Sequence, residues 1–183
     1  MKSIRNLRNY AAGRALPADD ILEFHASRLL LLIGTCGTSN RIQGLTKLAK
    51  LDFFVRYPEF FERISETLNE PTQAATTYVE SSMVRHHYGP WDKRYYQILS
   101  YLEARSLITI ESAKKNSFDI ALTENGSNIM TQLSKQKAFD ELVKQMKLVK
   151  KLLGSKSGST LKNMIYKEFE QEVARQRMGA KIQ

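Results

Sequence analysis

A mainly α-helical chain with one small β-hairpin, ordered as a winged helix-turn-helix with additional C-terminal helices, is the fold this sequence predicts. Three observations carry that reading. Apolar residues recur at spacings of three and four in several segments between residues 19 and 105. A basic helix, Asp92 to Arg105, runs directly into two short stretches of strand character, Leu107 to Glu111 and Phe118 to Leu122, parted by a polar turn. Leu122-Thr123-Glu124-Asn125-Gly126 then ends the hairpin and opens another helix. The 183 residues suffice for one domain with attached helices, and 42% hydrophobic residues are enough to bury a core.

Taken in order, residues 1–18 form a basic N-terminal arm in which Lys2, Arg5, Arg8 and Arg14 occur without one acid. Asp19 and Asp20 cap a first helix running to about Ile33, with Ile21, Leu22, Phe24, Leu29, Leu32 and Ile33 on its buried side. Gly34, Gly37 and Ser39-Asn40 break it. The second helix spans Gly44 to Tyr57, where Leu45, Leu48, Leu51, Phe54 and Val55 face inward while Lys47 and Lys50 point elsewhere. Proline is tolerated in a first helical turn, so Pro58 precedes a third helix, Glu59 to Leu68. Asn69 to Thr77 is a loop, and Tyr78 to Tyr88 fits a helix or an extended segment equally well. After the Gly89-Pro90 turn, Asp92 caps the helix Lys93 to Arg105, whose inward stripe is Tyr95, Ile98, Leu99 and Leu102. Ala113 to Ser117, carrying Lys114 and Lys115, is the tip of the hairpin. Ser127 to Leu153 reads as one helix, 154–159 as a flexible hinge, and Thr160 to about Gln176 as the last helix. The domain division is therefore 1–18, a winged-helix domain with an inserted helix at 19–133, and a C-terminal helical extension at 134–183.

The charge points to an anionic partner. Twenty-eight Lys and Arg stand against 19 Asp and Glu, a formal net charge of +9. In a winged helix the third helix meets the major groove and the hairpin flanks it. That places Arg85, Lys93, Arg94, Gln97, Lys114 and Lys115 as the DNA-facing set. One amide among these cations is thin for base readout, so contact with the DNA backbone, independent of sequence, is expected. About thirty-four residues separate the second helix from Asp92, far more than a compact helix-turn-helix allows. The apolar Phe53, Phe54, Phe60 and Phe61, together with Val149, Leu152 and Leu153 on the amphipathic Lys-rich helix, are expected to face a protein partner. Arg85-His86-His87-Tyr88-Gly89-Pro90-Trp91 mixes cations with aromatics, as single-stranded nucleic-acid sites do. The same residues also suit packing at the base of the Asp92 helix.

Several functions find no support. The lone Cys36 excludes a disulfide framework and suits a small core side chain. His86-His87 with His25 lacks ligand spacing, so no metal is expected. Gly154 to Thr160 lacks the order of a phosphate-binding loop, and no hydrolase or nuclease constellation occurs, so neither a cofactor nor enzyme activity is expected. Asp52 and Glu59 suit a cap, an ion pair or plain surface. The longest apolar run, Leu29 to Ile33, is far below the ~20 residues of a membrane span, and a cytoplasmic setting without membrane contact follows.

Residues Gly44 to Phe54, Tyr88-Gly89-Pro90-Trp91-Asp92, Tyr96 to Ile108, Leu122 to Gly126, and Ser157 to Lys162 resemble the middle components of bacterial ABC three-component systems, related to Lamassu-type anti-phage defence. The resemblance covers roughly residues 20 to 175. It implies a non-catalytic accessory subunit beside an SMC-like ATPase and a separate effector, commonly a nuclease. Two other roles suit the same residues: a homodimeric winged-helix transcriptional regulator with a palindromic operator, and an antitoxin-like module that masks a toxin.

Overall fold

The computed structural model describes residues 20–73, 82–113 and 117–182. The basic arm and the hairpin tip with Lys114 and Lys115 lie outside the described residues. Leu29 to Ile33 drive the first helix, α1 (Leu22–Cys36), to the centre of the molecule, where all five side chains are buried. A helix apolar on every side must be covered on every side, and the helices Leu45–Arg56, Tyr95–Ala104, Glu124–Leu133 and Asp140–Leu153 supply that cover. Ile21 occupies the N-cap without a side-chain bond, so the expected acidic cap does not form.

The chain leaves α1 through Ser39 and Asn40, both in the left-handed region (φ 51° and 56°), and enters a short strand, β1 (Arg41–Gln43). Then follow α2 (Leu45–Arg56) and α3 (Pro58–Thr67), the latter starting on proline as expected. A two-stranded hairpin, β2 (Val84–His86) and β3 (Gly89–Trp91), settles the ambiguous segment as extended where it is described. Next come α4 (Tyr95–Ala104) and the predicted hairpin, β4 (Ile108–Ala113) and β5 (Ser117–Leu122). β1 pairs antiparallel with the open edge of β5, giving the order β1-β5-β4. In that register Ile42 lies opposite Ile120, and Ile120 opposite Ile110, a row of β-branched residues turned to the core.

The helix expected over Ser127–Leu153 is two helices. α5 (Glu124–Leu133) is capped by Thr123, whose hydroxyl accepts the Gly126 N–H at 2.9 Å. It ends at Ser134, and a 3-10 turn (Lys137–Phe139) leads to α6 (Asp140–Leu153), which opens on two acids. The break lets α6 cross α1 and α2 after α5 has packed beside the hairpin.

The expected hinge is a packed corner. Gly154 is buried, its carbonyl accepts the Lys47 ammonium at 2.8 Å, and a Cβ on Gly158 would lie 2.9 Å from the Lys47 backbone nitrogen. Ser157 caps α7 (Gly158–Glu168), and a π-helical turn (Glu170–Ala174) follows. The C-terminal segment is accordingly part of the core, not an extension. The Phe169 ring meets Phe60 edge-on at 4.7 Å, and its neighbours Leu161, Ile165 and Val173 are fully buried. Burying an aromatic of this size contributes about 2–3 kcal/mol.

This packing corrects the expected partner surface. Phe53, Phe54, Phe60 and Phe61 are buried, as are Val149 and Leu153, while Leu152 is half-buried against the core. α2 and α3 present their phenylalanines to α6 and α7, so the two apolar faces cover each other within one chain. The end of the chain also returns to the body: the Ile182 N–H donates to the Met83 carbonyl at 2.8 Å.

Candidate nucleic-acid interface

The start of α4 is anchored from below by buried charge. Asp52, fully buried on α2, accepts Arg28 of α1, and the Tyr95 hydroxyl donates to its other oxygen at 2.7 Å. Asp92 accepts Arg56 at 2.8 Å. It also accepts the Arg94 guanidinium at 2.9 and 2.8 Å and the Arg94 backbone N–H at 2.9 Å. Burial alone would raise the Asp92 carboxyl, but the Arg94 hydrogen bonds and the Arg56 charge outweigh it and hold the group far below the usual carboxylate range. Burial and the charge of Asp52 push the Tyr95 hydroxyl well up, which keeps it protonated as a donor.

Asp92 is not the N-cap of α4 but a buried carboxylate three residues ahead of its first residue, with Arg94 in the N-cap position. Arg94 is not an outward phosphate ligand: it closes on Asp92 and meets His25 Nε2 at 2.7 Å. Asp52 is likewise interior, and Lys50, expected to point away, is fully buried.

Outward from the same turn of α4, Lys93, Tyr96 and Gln97 are exposed. Tyr96 is 63% exposed, Tyr88 on the β2–β3 turn 59%, and Phe118 at the start of β5 43%. Between them lies a cavity of about 230 Å³, closed below by His86 and Trp91 and on one side by Gly44 to Thr46 at the start of α2. The His86 and Trp91 rings stack at 5.4 Å with 27° between planes, and Tyr96 tilts against Trp91 at 5.9 Å. Trp91 also sets its edge on buried Tyr95 at 5.0 Å, so it does pack the base of α4. Tyr88 does not: it stands open, with the Lys162 ammonium 6.0 Å from its ring.

The β2–β3 hairpin beside this groove is held by two elements, α2 and α7. The Lys50 ammonium donates to the Pro90 carbonyl at 2.9 Å, and the Tyr166 hydroxyl of α7 donates to the His87 carbonyl at 3.1 Å. Burial, reinforced by the charges of Arg85 and Lys162, pushes the Lys50 amine down to about 7. Burial and the nearby His87, Lys50 and Arg85 lower His86 as well. Arg85 alternates with His86 along β2 and turns to the opposite face, where its guanidinium lies 5.1 Å from the Tyr166 ring and meets Met178. It is not brought to the groove.

The structure therefore gathers Lys93 and Gln97 on one face, places Arg85 and Arg94 elsewhere, and leaves Lys114 and Lys115 outside the described residues. Sequence reasoning passed over Tyr96 and Phe118. The signal for Tyr96 was legible: it sits off the apolar stripe of α4, between Lys93 and Gln97. Among the described residues no cluster of three metal-ligating side chains occurs, and no helix is long and apolar enough to cross a membrane. Comparison with protein-family models, curated proteins and solved structures finds no match to this chain.

Proposed function

We propose that this chain is a winged-helix nucleic-acid-binding module without catalytic residues of its own. In this reading α2 and α4 form the helix-turn-helix pair, α3 and the β2–β3 hairpin are inserted between them, and β4–β5 is the wing. The antiparallel order β1-β5-β4, with β1 entering between α1 and α2, supports the assignment. The observation that carries the function is the first turn of α4. It is bolted down by the Asp92 network and, with the residues just before it, offers Lys93 and Gln97 to solvent, while Tyr96 between them shares a cavity with Ser117 and Phe118 at the start of β5. One ammonium and one amide suit phosphate contact better than base discrimination, so binding to duplex is sequence-tolerant. Beside an SMC-like ATPase and an effector nuclease, as the resemblance implies, such a module couples the complex to DNA.

Titrating the full chain against a short labelled duplex over a salt series tests the binding. Affinity falls log-linearly with salt, and Lys93→Glu combined with Lys114→Glu and Lys115→Glu weakens it and flattens the slope. Arg94 is left intact, because reversing it would break the Asp92 network. Unchanged binding by the triple variant sinks the DNA role and leaves an adaptor. Purifying the tagged protein from its host tests the assembly. A stoichiometric coiled-coil ATPase supports the accessory role, whereas a bare homodimer would favour an operator-binding regulator.

A further inference from the structure

We infer that the groove between the β2–β3 turn, the start of α4 and the start of β5 takes one unpaired nucleobase of a DNA strand, so that the preferred substrate is duplex interrupted or ended by single strand. This rests on the nucleic-acid reading above and narrows it. Tyr88, Tyr96 and Phe118 come from three separate elements, and all leave much of their ring area in solvent around one cavity. Isolated exposed apolar residues are ordinary, but aromatic rings converging from three elements on one cavity mark a binding site. The stacked His86 and Trp91 rings line the same cavity and add further aromatic surface to it. At about 230 Å³ the space is below that of drug-sized ligand pockets, and it suits a single planar ring system.

The surroundings choose among planar groups. Among the described residues no carboxylate lines the cavity, while the hydroxyl-bearing Thr46 and Ser117 line it and can meet a base's polar rim. Lys162 lies over Tyr88 and Lys93 is exposed one turn-edge from Tyr96, so cations flank the aromatics as a strand's phosphates require. The hairpin is fixed before any ligand arrives, because Lys50 and Tyr166 donate hydrogen bonds to it and the returning Ala180 carbonyl accepts the Arg85 N–H. A preorganised platform loses little entropy on stacking.

Trp91 is the sole tryptophan of the chain, so its fluorescence reports on this groove alone. The experiment titrates the full chain with a blunt duplex and with the same duplex extended by a short single-stranded overhang. The overhang is expected to bind about tenfold tighter or more, since stacking on an aromatic contributes roughly 1–3 kcal/mol per base, and to change Trp91 emission. Tyr88→Ala or Tyr96→Ala collapses the ratio of the two affinities toward one, and Tyr88→Phe restores it. Both substituted rings are largely exposed, so the fold survives their removal, and an unchanged circular dichroism melt verifies it. Equal binding of the two DNAs with unchanged Trp91 emission overturns the inference and leaves the nucleic-acid reading standing. Failure of both DNAs to bind at low salt overturns both.

Discussion

Lys50 offers the sharpest thermodynamic test of the interior described above. Its amine is fully buried, hydrogen-bonded to the Pro90 carbonyl, and pushed by burial from 10.5 down to about 7. The unfolded chain therefore binds one more proton than the native state between about pH 7 and 10.5. Stability rises with pH wherever the unfolded state binds more protons, so this group destabilises the fold fully below pH 7 and is relieved as pH rises toward 10.5. One pKa unit corresponds to 1.36 kcal/mol, so the native state should gain about 2 kcal/mol from Lys50 between pH 7 and pH 9. Lys50→Met removes the titration while keeping similar bulk. It also leaves the Pro90 carbonyl without its ammonium donor, a roughly constant cost of about 1–3 kcal/mol that cancels from the slope. Urea unfolding of both proteins at several pH values gives the comparison. The wild-type curve should climb relative to the variant by about 2 kcal/mol over that interval. Parallel curves would refute the buried, neutralising amine.

Other parts of the account make their own predictions. Asp92→Asn removes the carboxylate between Arg56 and Arg94 and should cost about 3–5 kcal/mol in urea unfolding. Because the native Asp92 group is depressed, its contribution is complete above the ordinary carboxylate range and is lost progressively as pH falls from that range toward the group's own lower value, so the variant should lose less stability in acid than wild type. A Cβ on Gly126 has no room against the Leu107 carbonyl, where α5 starts beside the hairpin, so Gly126→Ala should lower the midpoint of thermal unfolding by an amount equivalent to about 1–3 kcal/mol. Cys36, with burial pushing its thiol up to about 12, should resist a thiol-specific reagent at pH 8 until the chain is unfolded. Rapid labelling of the folded protein would place Cys36 at the surface instead.

The sequence made some of this legible and hid the rest for physical reasons. α2, α3, α4 and the β4–β5 hairpin carry their own periodicity and breaking residues, so local pattern sufficed. β1 is three residues long and exists because β5 has an open edge to pair with, a contact eighty residues away in sequence. The phenylalanines of α2 and α3 announced an apolar face, and α6 announced another. Amphipathicity says that a face needs cover but not what covers it, and here each covers the other. Charged residues misled most. Lys50 and Asp92 sit at positions that pattern assigns to surface or cap, and Asp52 takes the ion-pair role among those expected of it, yet all three are interior, because Arg28, Arg56, Tyr95 and a backbone carbonyl satisfy them from other elements. The aromatic groove shares this character. The run Arg85 to Trp91 showed the right residue types, but Tyr96 and Phe118 join it only through the fold.

The central claim is that nucleic acid meets the face formed by α4 and the hairpin. Lysine-selective labelling of the full chain, alone and saturated with a short duplex at low salt, measures this directly when the sites are read by mass spectrometry. The account predicts that Lys93 on the α4 turn, with Lys114 and Lys115 of the hairpin, is protected, while the exposed Lys144, Lys147 and Lys151 of α6 react as in the free protein. Protection of the α6 lysines with Lys93 fully reactive would contradict it.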